Sequence, residues 1–403
     1  MPSGALSHVR VLDLSRVLAG PWASQLLADL GAEVVKIERP GVGDETRGWG
    51  PPWLAGPDGS ETRESAYFAC ANRGKKSVTV DLARSEGQAI VRRLAERSDV
   101  LLENFKVGSL SRLGLGWEEL SALNPRLVYC SITGFGQSGP YKDRPGYDFV
   151  VQAMGGLMSV TGEPDGEPMK AGVAMTDILT GMYVATAVLA ALAHRERTGE
   201  GQRVDLALLD VQVATLANLA QNYLVTGRAP DRHGNAHASI VPYQAFATRD
   251  GYVVVAVGND AQFARLCEVL SRPELAIDSR FATNAARVEN RAALVSVLEA
   301  ILAGRPTREW VATLEEAGVP CGPINDLAQV FDDPHVQARG LRVDVPHPLA
   351  GRVPVVASPM RLSRTPVRHG TPPMLGEHTE EVLRDVLGMG EVEIENLRRE
   401  RVI

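Results

Sequence analysis

Short apolar runs and longer amphipathic stretches alternate along the first half of the chain. Val9–Leu14 (VRVLDL) reads as a buried strand. Pro21 then sits where the first turn of a helix tolerates it, and that helix extends to about Leu30, where Gly31 ends it. Glu33–Glu38 (EVVKIE) is the next strand, and the rhythm continues through Lys76–Leu82, the helical Ser85–Arg97, Val100–Asn104 and Arg126–Ile132. Strands separated by helices of this length predict a parallel sheet covered on both faces.

The clearest single element is a long helix from Thr176 to Gly199 (TDILTGMYVATAVLAALAHRER), with Thr176 as its N-cap and basic residues in its last turns. Strand Arg203–Leu208 and an apolar helix Val211–Tyr223 follow. The texture then changes: Thr226–Ala238 is rich in Gly, Pro, Asn and charge and reads as a linker. Beyond it, Tyr243–Val257 is a hairpin about Arg249-Asp250-Gly251, with helices to about Ala317. Pro320–Pro323 (PCGP) and Asp332–Pro334 mark a second crossing, and the tail from Leu341 has strand-like pieces and a final helix, Thr379–Leu387. The predicted fold is α/β: a large domain with a Rossmann-like parallel sheet built from both chain ends, residues 1–225 and 331–403, and a smaller inserted α+β domain at 226–330.

At 403 residues the chain exceeds what one core usually spans, consistent with two domains. Its 44% hydrophobic and 23% charged content is ordinary for a globular protein. A net charge of −7 argues against a non-specific nucleic-acid partner, because no excess of cations neutralises phosphates. The opening MPSGALSHVR has no signal-peptide character, and the most apolar segment, around Val184–Ala193, reads as too short to span a bilayer. A cytoplasmic protein without a membrane partner is expected. Cys70, Cys130, Cys267 and Cys321 are scattered, with no His at metal-ligand spacing, so neither a disulfide framework nor a metal site is expected.

The first strand–helix turn, Ser15–Gly20 (SRVLAG), lacks the glycines that admit a pyrophosphate, although Glu38 mimics a ribose-binding acid. A dinucleotide cofactor is therefore not expected. Walker, HExxH and G-x-S-x-G patterns are also missing from the sequence. Asp177, in the first turn of the long helix, has two readings. An acid there complements the helix dipole. The same setting would keep a carboxylate ionised and nucleophilic near an anionic substrate, with Gly172 and Gly181 leaving room for a bulky thioester.

The run RVLDLSRVLAGPWASQLLADLGAEVVKIERPGVGDETR, then NRGKKSVTVDL, VLLENFKVGSLSRLG, NPRLVYCSITGFGQSGP and MTDILTG resembles the family III CoA-transferases, the CaiB/BaiF type that includes formyl-CoA transferase. SIVPYQAF, VPCGPIN and MLGEHT extend the likeness over essentially the whole chain. Within the family, GVAMTD and HGNAHASIVPYQAF are most similar to the branch that moves CoA between dicarboxylic acids, such as succinyl-CoA:glutarate or hydroxymethylglutarate transferases.

The resemblance implies roles residue by residue. The nucleophile falls on Asp177. Contacts to CoA fall on Val17, Leu18 and Ala19 in the first turn, on Asn104 and Phe105, and on Val80 at an adenine pocket. Cations for the CoA phosphates fall on Arg39 and Arg112, with Lys142 and Arg144 nearby, and Tyr147 falls beside the thioester. His237 and Ser239 are implied to hold the acceptor acid. The family further implies acyl-CoA as substrate, no tightly bound cofactor, and an interlocked homodimer.

Two departures stand out. HASIVPYQ replaces the glycine-rich lid of formyl-CoA transferase, and Tyr147-Asp148 stands where the racemases of this fold carry their His-Asp pair. The rival readings are an alpha-methylacyl-CoA racemase or epimerase, which here lacks its imidazole, and a non-catalytic acyl-CoA-binding protein.

Overall fold

The computed structural model describes residues 4–403. The chain divides into two units: the first comprises residues up to Leu157 with Ala171–Gln221 and Gln337–Ile403, and the second comprises Met158–Lys170 with Asn222–Val336.

The first unit is organised around a six-stranded sheet in the order Lys75–Thr79, Glu33–Glu38, Arg10–Asp13, Val100–Glu103, Val128–Thr133, Gln202–Ala207. Every pairing is parallel. Numbered along the chain, this is the order 3-2-1-4-5-6 of a doubly wound fold. The central strands Arg10–Asp13 and Val100–Glu103 are short, largely apolar and buried runs because both faces are covered. Val11, Val34, Val100 and Leu102 pack on one face with the helices Ala19–Asp29 and Met175–Thr198. Leu12, Val35 and Leu101 alternate to the other face, against Ile90, Val91 and Leu94 of the helix Ser85–Glu96 and Val382 and Leu383 of the helix Thr379–Asp385.

All six strands lie between Arg10 and Ala207, which corrects the expectation of a sheet built from both chain ends. The tail instead supplies a separate antiparallel hairpin, Arg342–His347 with Gly351–Val356, and helices that cover the sheet. Burial in the hairpin alternates residue by residue, the mark of a ladder covered on one side rather than a central parallel strand. Two further expectations change. The apolar stretch after Gln202–Ala207 is two helices, Leu208–Thr215 and Ala217–Thr226, broken where Ala217 takes a positive φ of 44°. The apolar segment Val184–Ala193 is part of the longer helix Met175–Thr198, which has the length and apolar composition to cross a membrane. It buries Thr176, Thr180, Gly181, Val184 and Val188 inside this unit.

The second unit holds a three-stranded antiparallel sheet, Cys321–Pro323, Tyr252–Ala256 and Tyr243–Ala247. Its core gathers Phe246, Val253, Val255, Phe263, Leu294, Leu298 and Trp310. Arg287 is fully buried there and is satisfied by the carbonyls of Val241 and Phe281 and by Asp260.

Candidate active site

In a 3-2-1-4-5-6 sheet the crevice opens where the chain reverses direction, beyond the C-terminal ends of the first and fourth strands. A cavity of about 210 Å³ lies there, within the first unit. Its walls are Arg16–Ala19 after the first strand, Asn104–Lys106 after the fourth, Thr133 and Gly134 after the fifth, and the loop Lys142–Tyr147. Asp177 lines it too, with Glu45, Val107, Ile132 and Leu208.

The turn after the first strand is under backbone strain and is clamped from several sides. Val17 adopts φ 70°, a region that β-branched residues avoid. Its N–H donates to both carboxylate oxygens of Asp44 at 3.3 Å. The Asn104 amide accepts from the Arg16 N–H at 2.9 Å and donates to the Arg16 carbonyl at 2.7 Å. Beneath them, Lys36 is fully buried, donates to the Ser15 carbonyl at 2.7 Å and pairs with Asp44 at 2.9 Å. Burial opposes the charge on Asp44, but Lys36 and the Thr46 hydrogen bonds outweigh it and hold the carboxyl down at about 2. Lys75, equally buried against Asp13 and the Asn72 side chain, is pushed down to about 8 by loss of water.

Asp177 stands in the first turn of the helix Met175–Thr198, whose N-cap is Ala174. The predicted cap, Thr176, is inside the helix, and its hydroxyl donates to Gln212 Oε1 at 2.6 Å. The start of the helix is capped from a neighbouring element: Asp148 Oδ1 accepts the N–H of Thr176 at 2.8 Å and of Asp177 at 3.1 Å. This corrects the electrostatic expectation for Asp177. Burial first, and the Asp148 charge second, raise its carboxyl to about 7, so the free site is only partly ionised at neutral pH. Gly181 does not make room for a ligand either. A Cβ there would lie 2.8 Å from the Ala19 carbonyl, so this glycine lets the Asp177 helix lie against the helix Ala19–Asp29.

Of the residues singled out in the sequence, Val17, Leu18, Ala19, Asn104, Phe105, Lys142, Arg144, Tyr147 and Asp177 share this cavity. Asn104 is committed to the Arg16 backbone, so its part is to shape the turn. Val80 is a correction: it is enclosed in the core with Leu12 and Ile90, and its side chain presents no surface to a ligand. Arg39 and Arg112 are exposed and outside the cavity lining. His237 and Ser239 belong to the second unit, where the Ser239 N–H donates to His237 Nδ1 at 3.0 Å. Arg16 and Lys106 escaped the sequence reading although both line the cavity. The Arg16 guanidinium lies 5.0 Å over the Phe105 ring, and its Nε is buried without a hydrogen-bond partner.

A carboxylate of raised proton affinity, set at the switch point of a doubly wound sheet and faced by arginines and lysines, defines an α/β enzyme site for an anionic ligand. A sequence profile of CoA-transferase family III matches residues 6–379. The chain belongs to that family and is a CoA-transferase. It is 52% identical over 382 residues to a succinate–glutarate CoA-transferase of Agrobacterium fabrum, covering 94% of this chain and 95% of that one. A succinyl-CoA:glutarate CoA-transferase of Mus musculus is 47% identical, with 97% of this chain and 88% of that one covered. Among solved structures, a CaiB/BaiF family protein from Brucella suis is 48% identical at a TM-score of 0.85, covering 96% and 100% of the two chains. A Mycobacterium tuberculosis protein is 37% identical at a TM-score of 0.82, covering 94% and 99%.

Proposed function

We propose that the protein moves CoA from succinyl-CoA to a second dicarboxylic acid such as glutarate, with Asp177 as the covalent carrier. The observation that carries this reading is the Asp177 carboxylate, of raised proton affinity, in the switch-point cavity, and the names of the Agrobacterium and mouse relatives supply the substrate class. The ionised carboxylate attacks the thioester carbonyl and expels CoA thiolate, leaving an aspartyl–succinyl anhydride. The thiolate attacks the aspartyl carbonyl, releasing succinate and leaving an aspartyl–CoA thioester. The acceptor carboxylate displaces the thiolate to form a second anhydride. CoA opens that anhydride at the acceptor's carbonyl, which restores Asp177. Each step exchanges one activated acyl bond for another, and the crowded cavity serves to keep water from them.

Arg39 and Arg112 bind the CoA phosphates in this reading, and Arg16, Lys106, Lys142 and Arg144 surround the reacting end. His237 and Ser239 hold the far carboxylate of the acceptor, from the same chain or its partner. A cytoplasmic, interlocked homodimer accounts for the exposed Met182, Tyr183 and Leu189 on the Asp177 helix, an apolar surface a second copy would cover.

The test is to mix the enzyme with succinyl-CoA, quench, and search by mass spectrometry for CoA or succinyl on the Asp177 peptide. Asp177→Ala should abolish transfer while retaining CoA binding, and substantial turnover by that variant would sink the mechanism. Arg39→Ala or Arg112→Ala should raise the KM for succinyl-CoA by about tenfold with little change for the acceptor.

A further inference from the structure

The carboxylates of Asp148 and Asp177 are joined through the backbone. Asp148 opens the short helix Asp148–Met154, and one of its oxygens takes both amides at the start of the Asp177 helix. Its other oxygen accepts from Gln152 Nε2 at 2.6 Å. Gln152 is itself fully buried, and its Oε1 accepts the Ala171 N–H at 2.9 Å, which fixes the amide with its nitrogen toward Asp148. All three contacts use Asp148 as an acceptor, the role of an ionised carboxylate. A helix start without a side-chain cap of its own is thereby satisfied by a neighbour's negative charge.

We propose that Asp148 is a positioning residue that tunes the Asp177 carboxylate: it takes the helix amides that would otherwise stabilise Asp177, and sets a fixed negative charge beside it. Loss of the Asp177 charge on acylation is then favoured, because the neutral anhydride or thioester removes a like-charge repulsion. The Asp177 carboxylate is also more basic, and so more nucleophilic, than one resting on free helix amides. This last consequence rests on Asp177 being the covalent carrier proposed above.

The other titratable and charged groups around Asp177 do not offset Asp148. Tyr67, on the helix Ala66–Asn72, is a phenol whose own proton is held up at about 12, by burial first, with Cys70, Asp177 and Asp148 adding to it. Tyr147 adjoins Asp148 on the loop before its helix. Arg16 is engaged by Glu45, and Arg144 stacks 3.8 Å over the Tyr141 ring. Lys106, Lys142 and Asp143 complete the charged lining. Among the described residues no cation forms an ion pair with Asp177.

Difference infrared spectroscopy of the carboxyl band, wild type against Asp177→Asn across pH, reads the Asp177 titration without substrate. It should show a midpoint near 7. Asp148→Asn keeps an oxygen for the two amides but removes the charge, and should lower that midpoint by about one unit or more, with Asp148→Glu restoring it. Asp148→Ser serves if the asparagine variant does not fold. The acid limb of kcat/KM for succinyl-CoA should move with the midpoint. A midpoint unmoved in a folded neutral variant overturns the proposal, even if Asp177 is found acylated. A shifted midpoint without acylation of Asp177 upholds the electrostatic coupling and rejects the covalent mechanism instead.

Discussion

The strained backbone of Val17 is fastened to the buried carboxylate of Asp44, whose own charge is matched by Lys36. An ion pair inside the protein thus reaches the cavity wall through a single peptide N–H. A valine at φ 70° costs on the order of 1–2 kcal/mol and persists only where its surroundings over-determine it. Asn104 completes that constraint by holding both the N–H and the carbonyl of Arg16, and Lys36 by donating to the Ser15 carbonyl.

Separating the stability of this pair from its effect on the turn takes two variants. Asp44→Asn removes the carboxylate paired with Lys36 in a fully buried site, leaving it only the charges of Asp13 and Glu38, and should cost about 3–5 kcal/mol in urea unfolding. Replacing both partners with apolar residues, Lys36→Met with Asp44→Leu, should recover most of that loss. The Val17 N–H stays unheld in the double variant, so transfer should remain slowed by about tenfold or more. A double variant as active as wild type would show that Asp44 serves stability alone.

Gly181 gives a test of the contact between helices. A Cβ at this position meets the Ala19 carbonyl at 2.8 Å and the Trp22 ring at 3.0 Å, and neither is the end of a flexible side chain. Gly181→Ala should therefore push the Asp177 helix off the first turn. The expected cost is about 1–3 kcal/mol, with a fall in kcat from the displaced nucleophile. An alanine variant with unchanged melting temperature and kcat would mean that the helices separate freely.

What the sequence disclosed divides along physical lines. The central strands were legible because a parallel strand buried on both faces is a short, continuous apolar run, as in Val9–Leu14 and Val100–Asn104. The hairpin Arg342–His347 and Gly351–Val356 also reads as strand, but its partner depends on which face is covered. Nothing local marks the break at Ala217, which has no flanking Gly or Pro. Asp177 was singled out by its position and the family resemblance, and it does line the cavity, but the raised proton affinity of its carboxyl was not legible. That property depends on burial first and then on Asp148, 29 residues away and joined to it only in the folded chain. The Val80 side chain is enclosed for a related reason: just past the strand Lys75–Thr79 it continues the core-facing set begun by Val78.

The raised Asp177 carboxyl makes a prediction about stability. Its ordinary value is 3.8 and its folded value about 7, so between these limits the folded state holds more protons than the unfolded one. This group's contribution therefore declines as pH rises from about 4 to about 7, and above 7 it opposes folding in full. Asp177→Asn should stabilise the protein at pH 8 by on the order of 1–3 kcal/mol, after allowing for the part of the side chain that remains open to water, and the gain should vanish near pH 4. Urea midpoints at the two pH values check it. Equal stability of variant and wild type at pH 8 would mean that Asp177 ionises in the folded protein without penalty.

Acceptor selectivity is the sharpest test of the dicarboxylate reading. The Ser239 N–H donates to His237 Nδ1, so a neutral imidazole carries its proton on Nε2 and offers a donor there. Arg291 braces the same segment through the carbonyls of His237 and Ala238, at 2.8 Å and 3.0 Å. A site that pairs a second carboxylate leaves its donors unsatisfied when a monocarboxylate binds, and that loss weighs more than the missing contact alone. Glutarate or succinate should therefore exceed butyrate by about a hundredfold in kcat/KM. His237→Ala should erode that preference more than it slows butyrate, because it removes the donor and not the carrier. If butyrate matches glutarate with the wild-type enzyme, the acceptor is not chosen by its second carboxylate. If the preference survives intact in His237→Ala, the group that reads the second carboxylate is another residue.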